Sequence, residues 1–156
     1  MQVLREHQLY AKLSKCYFYQ GRIHYLAHII YEEGVTVDPE KIRAIMEWST
    51  PKNVSEFRSF MGLAGYYWRF IEGFSKLAHP ITSLKNKGLI FDWTSKCEDN
   101  FQKLKEMLTS APVLKIADPE GNFVVCTDAC KQGICGVLMQ DGHVISYESW
   151  KLKEHE

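Results

Sequence analysis

Six residues restrict the fold of this chain more than any others. Phe57, Phe60, Met61, Ala64, Tyr67 and Ile71 fall at offsets of 0, 3, 4, 7, 10 and 14. Only an α-helix, with about 3.6 residues per turn, gathers all six on one face. The chain must therefore bury an aromatic helical stripe. Asn53 stands at the N-cap position, with Glu56 three residues later as in a capping box, so the helix is predicted from Asn53 to about Ile71. A second stripe, Cys97, Phe101, Leu104 and Leu108, follows Thr94 as a cap and predicts another helix.

The segments around these helices alternate in period. Residues 2–14 read as a helix. Residues 16–19 and 23–31, rich in aromatic and β-branched side chains, read as a hairpin turning at Gly21 and ended by Gly34. Asp38 followed by Pro39 starts a helix whose buried side is Ile42, Ile45 and Met46. A short helix is expected from Pro80, through Ile81 and Leu84, to Gly88, and "LIFDW" is expected as a strand. Strands are expected at 122–128, 134–139 and 143–149, the last two joined by Asp141-Gly142, a strong two-residue hairpin signal.

Length and composition set the class. With 156 residues, 46% of them hydrophobic, the chain suits one domain or two small ones sharing a core. No apolar run is long enough to span a membrane. The charged N-terminus does not read as a secretion signal, so the expectation is an intracellular protein, in cytoplasm or nucleus. Five cysteines then read as free thiols.

The formal net charge is zero but unevenly spread. Residues 41–88 hold eight Lys/Arg against three Glu, a net of +5, whereas residues 113–156 hold four bases against seven acids, a net of −3. The middle of the chain is thus either a phosphate-facing surface or scattered solvating charge. The other face of the long helix fits the former. Arg58, Gly62 and Tyr66 stand at i, i+4 and i+8, flanked by Gly65 and Arg69. A glycine inside a helix costs roughly 1 kcal/mol relative to alanine. Close approach by another surface would explain it. That surface is either a nucleic-acid groove, reached by arginine and tyrosine, or a second helix.

The stretches "YLAHIIYEEGVTVDPEKIRAIMEW", "SEFRSFMGLAGYYWRFIEGFSKLAHPITSL", "FDWTSKCEDNFQKLKEMLTSAPVL" and "FVVCTDACKQGICGVLMQDGHVISY" resemble, in order and across essentially the whole chain, the Pol polyprotein of gypsy-type LTR retrotransposons, plant ones especially. The resemblance implies an α+β layout. Residues 1–36 would be the end of a reverse-transcriptase palm with its primer-grip hairpin. Residues 37–88 would be the helical thumb and 89–112 a connection. Residues 113–156 would open a ribonuclease H domain, with an incomplete antiparallel sheet. Tyr25, Leu26, Ala27 and His28 match the primer grip, and Arg58, Gly62 and Tyr66 the thumb surface that tracks a template–primer duplex. The implied partner is an RNA–DNA hybrid or duplex, and the remainder of a Pol polyprotein.

Asp128 matches the first catalytic carboxylate of ribonuclease H, a ligand for paired Mg²⁺ ions. By the resemblance, its partner carboxylates would follow residue 156 and the polymerase aspartates would precede residue 1. No Asp-Asp pair occurs in the chain. A chain that holds a duplex but neither copies nor cuts it is therefore expected, binding Mg²⁺ weakly at most. Departures from the family pattern at Ala27, Trp68, Cys130, Cys135, Glu148, Trp150, Lys151 and Glu154 agree with a drifting copy. Three rivals stand beside this reading. They are a zinc module of Cys126, Cys130, Cys135 and His143, an enzyme completed by carboxylates of another chain, and a folded interaction or structural remnant without nucleic-acid activity.

Overall fold

The computed structural model describes residues 2–85, 91–130 and 133–152. Five α-helices and six strands are described, in the order α1 (Gln2–Glu6), β1 (Arg22–Tyr25), β2 (His28–Tyr31), β3 (Gly34–Val37), α2 (Pro39–Met46), α3 (Val54–Tyr66), α4 (Phe74–Thr82), α5 (Ser95–Thr109), β4 (Val124–Cys130), β5 (Gly133–Gln140) and β6 (His143–Lys151). Two antiparallel sheets, β1-β2-β3 and β4-β5-β6, flank the helices.

The core forms where the two aromatic stripes meet. Phe57, Phe60, Tyr67, Phe101, Leu104 and Leu108 are fully buried, as is Ile71 just beyond α3. The Phe60 and Phe101 rings are 4.5 Å apart, and Trp48 and Trp93 close over them edge-on. Each such side chain contributes about 1.5–3 kcal/mol by leaving water. Helix starts follow their caps. The Asp38 carboxylate accepts from Glu40 N at 2.9 Å, and Asn53 Oδ1 from Glu56 N at 2.9 Å. The box at α3 is shifted by one residue, because Glu56 reaches back to Lys52 N at 2.8 Å. At α5, Thr94 accepts from Cys97 N.

Several expectations are corrected. Residues 16–19 form no strand, and the expected hairpin closes at Leu26-Ala27, so that residues 22–31 make both β1 and β2. Gly34 opens a third strand instead of ending the pair. A Cβ there would lie 2.1 Å from the Leu114 carbonyl, and its φ of 142° suits glycine alone. The N-terminal helix stops at Glu6 and buries nothing, since Val3 is exposed. Helix α3 ends at Tyr66, and a 3-10 turn over Trp68–Phe70 carries Ile71 into the core. Met46 is exposed, one position round the helix from buried Ile45. Helix α4 begins at Phe74 after Gly73 in the left-handed region, so Pro80 lies inside it. Phe91 and Trp93 are stacked coil residues instead of a strand. The expected helix end at Gly88, with residues 89 and 90, lies outside the described residues.

In the second sheet β5 and β6 agree with expectation but run further, whereas β4 both begins and ends two residues later than expected. Both residues of the sheet's tight turn, Asp141 (φ 51°) and Gly142 (φ 75°), have positive φ. A type I′ hairpin requires this. Strand β6 bulges against Leu138/Met139. Leu114 bridges to Val35 of β3, and Lys115 N donates to Val144 O of β6 at 2.8 Å, so one extended segment ties both sheets together. Strand β6 is the covered side: Ser75 N donates to Ser149 Oγ at 2.9 Å and Ser75 Oγ to Ser149 O at 2.6 Å. Strand β4 is an edge, with Val124 54% and Val125 65% exposed.

Candidate nucleic-acid interface

The tip of the first hairpin is built from an unfavourable sequence. Tyr25 pairs with His28, leaving Leu26 (φ 46°) and Ala27 (φ 59°) as the turn. Such turns ordinarily use Asn-Gly or Asp-Gly, because residues with a Cβ resist positive φ at about 1–2 kcal/mol each. Contacts from α3 compensate. The Tyr66 hydroxyl donates to Leu26 O at 2.6 Å and the Tyr67 hydroxyl to Ala27 O at 2.8 Å. His28 Nδ1 lies 2.8 Å from the same Leu26 carbonyl. An acceptor there fixes the imidazole proton on that nitrogen. The His28 ring stacks on Phe70 at 5.6 Å and meets Tyr66 and Tyr67 at 5.3 and 5.4 Å.

Burial and charge favour the protonated form of Tyr67. Burial, then the Asp38 carboxylate and Tyr66, push the Tyr67 phenol up to about 12. It remains a donor at neutral pH. Asp38 also stands 3.7 Å from His24 on β1.

The structure thus joins two sets of residues far apart in sequence. Tyr25 and Leu26 are 59% and 66% exposed at the tip, and α3 presents its outer face beside them. Arg58 is exposed and without an ion-pair partner among the described residues. Gly62 and Gly65 face open space, with nothing within 4 Å of a Cβ placed on either. Among the described residues no second helix packs there, so helix packing does not explain these glycines. Tyr66 differs from expectation: its hydroxyl is engaged with the hairpin, although 48% of the residue stays exposed. Sequence reasoning treated Tyr67 only as core and missed Phe70. Adjacent tyrosines at a helix end, one on the buried stripe and one on the open stripe, were the available signal.

Asp128 lies elsewhere. It is the fifth residue of β4, paired with Cys135, and not at the strand's end as expected. Its side chain is exposed. The row Asp128–Cys135–Ser149 runs across one sheet face, while Glu148 pairs with Gly136 in the neighbouring row and so points to the opposite face. Among the described residues no three His, Cys, Asp or Glu side chains gather as metal ligands. Among the described residues the row around Asp128 therefore offers a paired Mg²⁺ site one carboxylate, fewer oxygen ligands than such a pair needs. Among the described residues Cys135 and His143 of the zinc set do not come together either. Cys135 pairs with Ser149 at one end of β5, and His143 pairs with Gln140 at the other. Zinc ligands converge on one ion at about 2.0–2.3 Å, which opposite ends of a strand do not allow.

Comparisons with known proteins agree with this architecture. The model of the RNase H-like domain found in reverse transcriptase matches residues 93–156. The chain is 37% identical over 155 residues to the Retrovirus-related Pol polyprotein from transposon 297 of Drosophila melanogaster, covering 98% of this chain and 14% of that polyprotein. It is 42% identical over 126 residues to an uncharacterized mitochondrial protein of Arabidopsis thaliana, covering 80% of this chain and 79% of that one. In fold it resembles the foamy viral protease-reverse transcriptase in complex with RNA/DNA hybrid, with a TM-score of 0.80 at 23% identity, over 91% of this chain and 20% of that one. A second structure of that protein, in complex with dsDNA, gives a TM-score of 0.78 at 23% identity over 88% of this chain and 30% of that one. The chain spans about a seventh of the transposon polyprotein, and it belongs to the retrotransposon Pol polyprotein family.

Proposed function

We propose that this chain holds an RNA–DNA hybrid or duplex template–primer through the hairpin tip and the open face of α3, and does not by itself copy or cut it. Residues 1–36 are assigned to the palm end with its primer grip, 37–88 to the thumb, 89–112 to the connection and 113–156 to the start of a ribonuclease H domain. One observation carries the reading. Tyr66 and Tyr67 fasten the exposed Tyr25–His28 tip to the very helix whose outer face offers Arg58 and bare backbone at Gly62. A strand end set in the tip and a backbone lying along α3 would be gripped by one rigid unit.

In that grip Arg58 contacts phosphate, Gly62 lets sugars approach, and the tip residues hold the strand end. The resemblance assigns paired Mg²⁺ ions, which activate water, to the intact family enzyme. The described residues offer such a pair one exposed carboxylate, Asp128, so no cleavage step is assigned to this chain.

A titration of an RNA–DNA hybrid against salt tests the reading. Expected are binding that weakens with salt and an Arg58→Ala variant whose salt slope is smaller by about 1. Salt-insensitive binding, or none, would contradict it. A second reading, a folded interaction module, draws on the open β4 edge with Val124 and Val125 exposed. Such edges recruit partners. Absence of hybrid binding would favour it.

A further inference from the structure

Away from the hairpin and α3, exposed lysines of three elements line one cavity. It has a volume of about 430 Å³ and opens between α4, α5 and the ends of β5 and β6. Small-molecule pockets usually span about 300–1,000 Å³. Lys76 and His79 come from α4, Lys96 from α5 and Lys151 from β6, and no Asp or Glu lines the cavity among the described residues. None of the three lysines has an acidic partner among the described ion pairs. Lys151 Nζ donates to His79 Nε2, so an ammonium group and a neutral imidazole stand in contact. Burial, and the charges of Lys151 and Lys96, hold His79 below its ordinary value. Leu77, Pro80 and Ile134 give the same cavity an apolar wall.

Like charges that line one cavity repel, and an anion between them lowers that repulsion. A small inorganic ion would leave the apolar wall unused. We infer that this cavity binds the phosphate group of a nucleotide unit, with Lys76, Lys96 and Lys151 contacting the phosphate and the apolar wall facing the sugar or base. That unit is either a free mononucleotide or one residue of a polynucleotide. No lining residue belongs to the hairpin or α3, so the inference stands apart from the duplex grip.

The test follows the His79 ring resonances of the whole chain by NMR during titration with inorganic phosphate and adenosine monophosphate. Expected is a saturable shift with the nucleotide, together with a rise in the His79 pKa on saturation, since a bound anion favours the imidazolium. The double variant Lys96→Ala/Lys151→Ala should weaken nucleotide binding at least about tenfold, or about 1.4 kcal/mol. If it fails to fold, Lys96→Gln alone should weaken it several-fold. An RNA–DNA hybrid separates the two sources. A salt slope reduced by about 1–2 in the double variant identifies a polynucleotide phosphate, and an unchanged slope a free nucleotide. No saturable His79 shift up to about 20 mM nucleotide, well above a millimolar Kd, overturns the inference. A shift of equal size and midpoint in the variants does the same.

Discussion

The hairpin–α3 junction and the β4 edge are built to opposite standards. At the junction Tyr66, Tyr67 and His28 hold the turn and one another. Two phenols satisfy the turn carbonyls, His28 stacks on Phe70 and contacts the rings of Tyr66 and Tyr67, and Tyr67 continues directly into the core. At the edge, Asp128 stands exposed on a strand whose apolar neighbours also face solvent. The difference teaches what each task would require. The proposed grip needs one turn and one helix, which packing brings together. A paired-metal site needs oxygen ligands from several elements, and one strand supplies one.

The largest expected effect probes the unequal burial behind this contrast. Phe60→Ala should cost about 3–5 kcal/mol in urea unfolding, whereas Val124→Ala on the edge should cost less than about 0.5 kcal/mol. A comparable loss from both would erase the distinction. Next comes the latch. Tyr67→Phe should destabilise by about 1–2 kcal/mol, because Ala27 O loses its phenol donor, and should also weaken hybrid binding. Asp128→Ala should alter neither. Alkaline titration sharpens this. The folded pKa of Tyr67 is raised to about 12 from 10. Its contribution to stability is therefore complete below the unfolded value and fades as pH rises through the folded one. The Phe variant should lose that slope.

Glu98 gives a smaller, oppositely signed effect. Hydrogen bonds from Gln102, Trp93 and Thr50 hold its carboxyl below the ordinary value. Its contribution is therefore present above the usual carboxylate pKa and lost as pH falls through the lowered one. Glu98→Gln should flatten the acid limb of the stability profile and cost about 1 kcal/mol at neutral pH, read from unfolding curves at several pH values. Smallest is Ala27→Gly. Relief of the positive φ and loss of a packed methyl nearly cancel, so stability should change by less than about 1 kcal/mol while hybrid binding persists.

What could be read in the sequence follows from how locally each feature is determined. The stripes of α3 and α5 and the Asp141-Gly142 turn were legible, because side-chain spacing and turn chemistry alone specify them. The first hairpin was not. Its turn has no glycine, and tertiary bonds from Tyr66 and Tyr67 impose a geometry that Leu26 and Ala27 disfavour. Pro80 misled in the same way: it reads as a helix start, but the burial of Ala78 and Ile81 extends α4 back to Phe74. For the interface, Arg58 and Gly62 were visible as a stripe. The engagement of Tyr66 with the hairpin depends on a contact forty residues away in sequence.

The most direct test of the central claim measures holding and cutting on one sample. The purified chain would be mixed with a labelled RNA–DNA hybrid, and binding and strand cleavage followed together with Mg²⁺ or Mn²⁺ present. The account predicts salt-sensitive binding that Arg58→Ala weakens, Asp128→Ala leaves unchanged, and no cleavage accompanies. Metal-dependent cleavage that disappears with Asp128→Ala would contradict it.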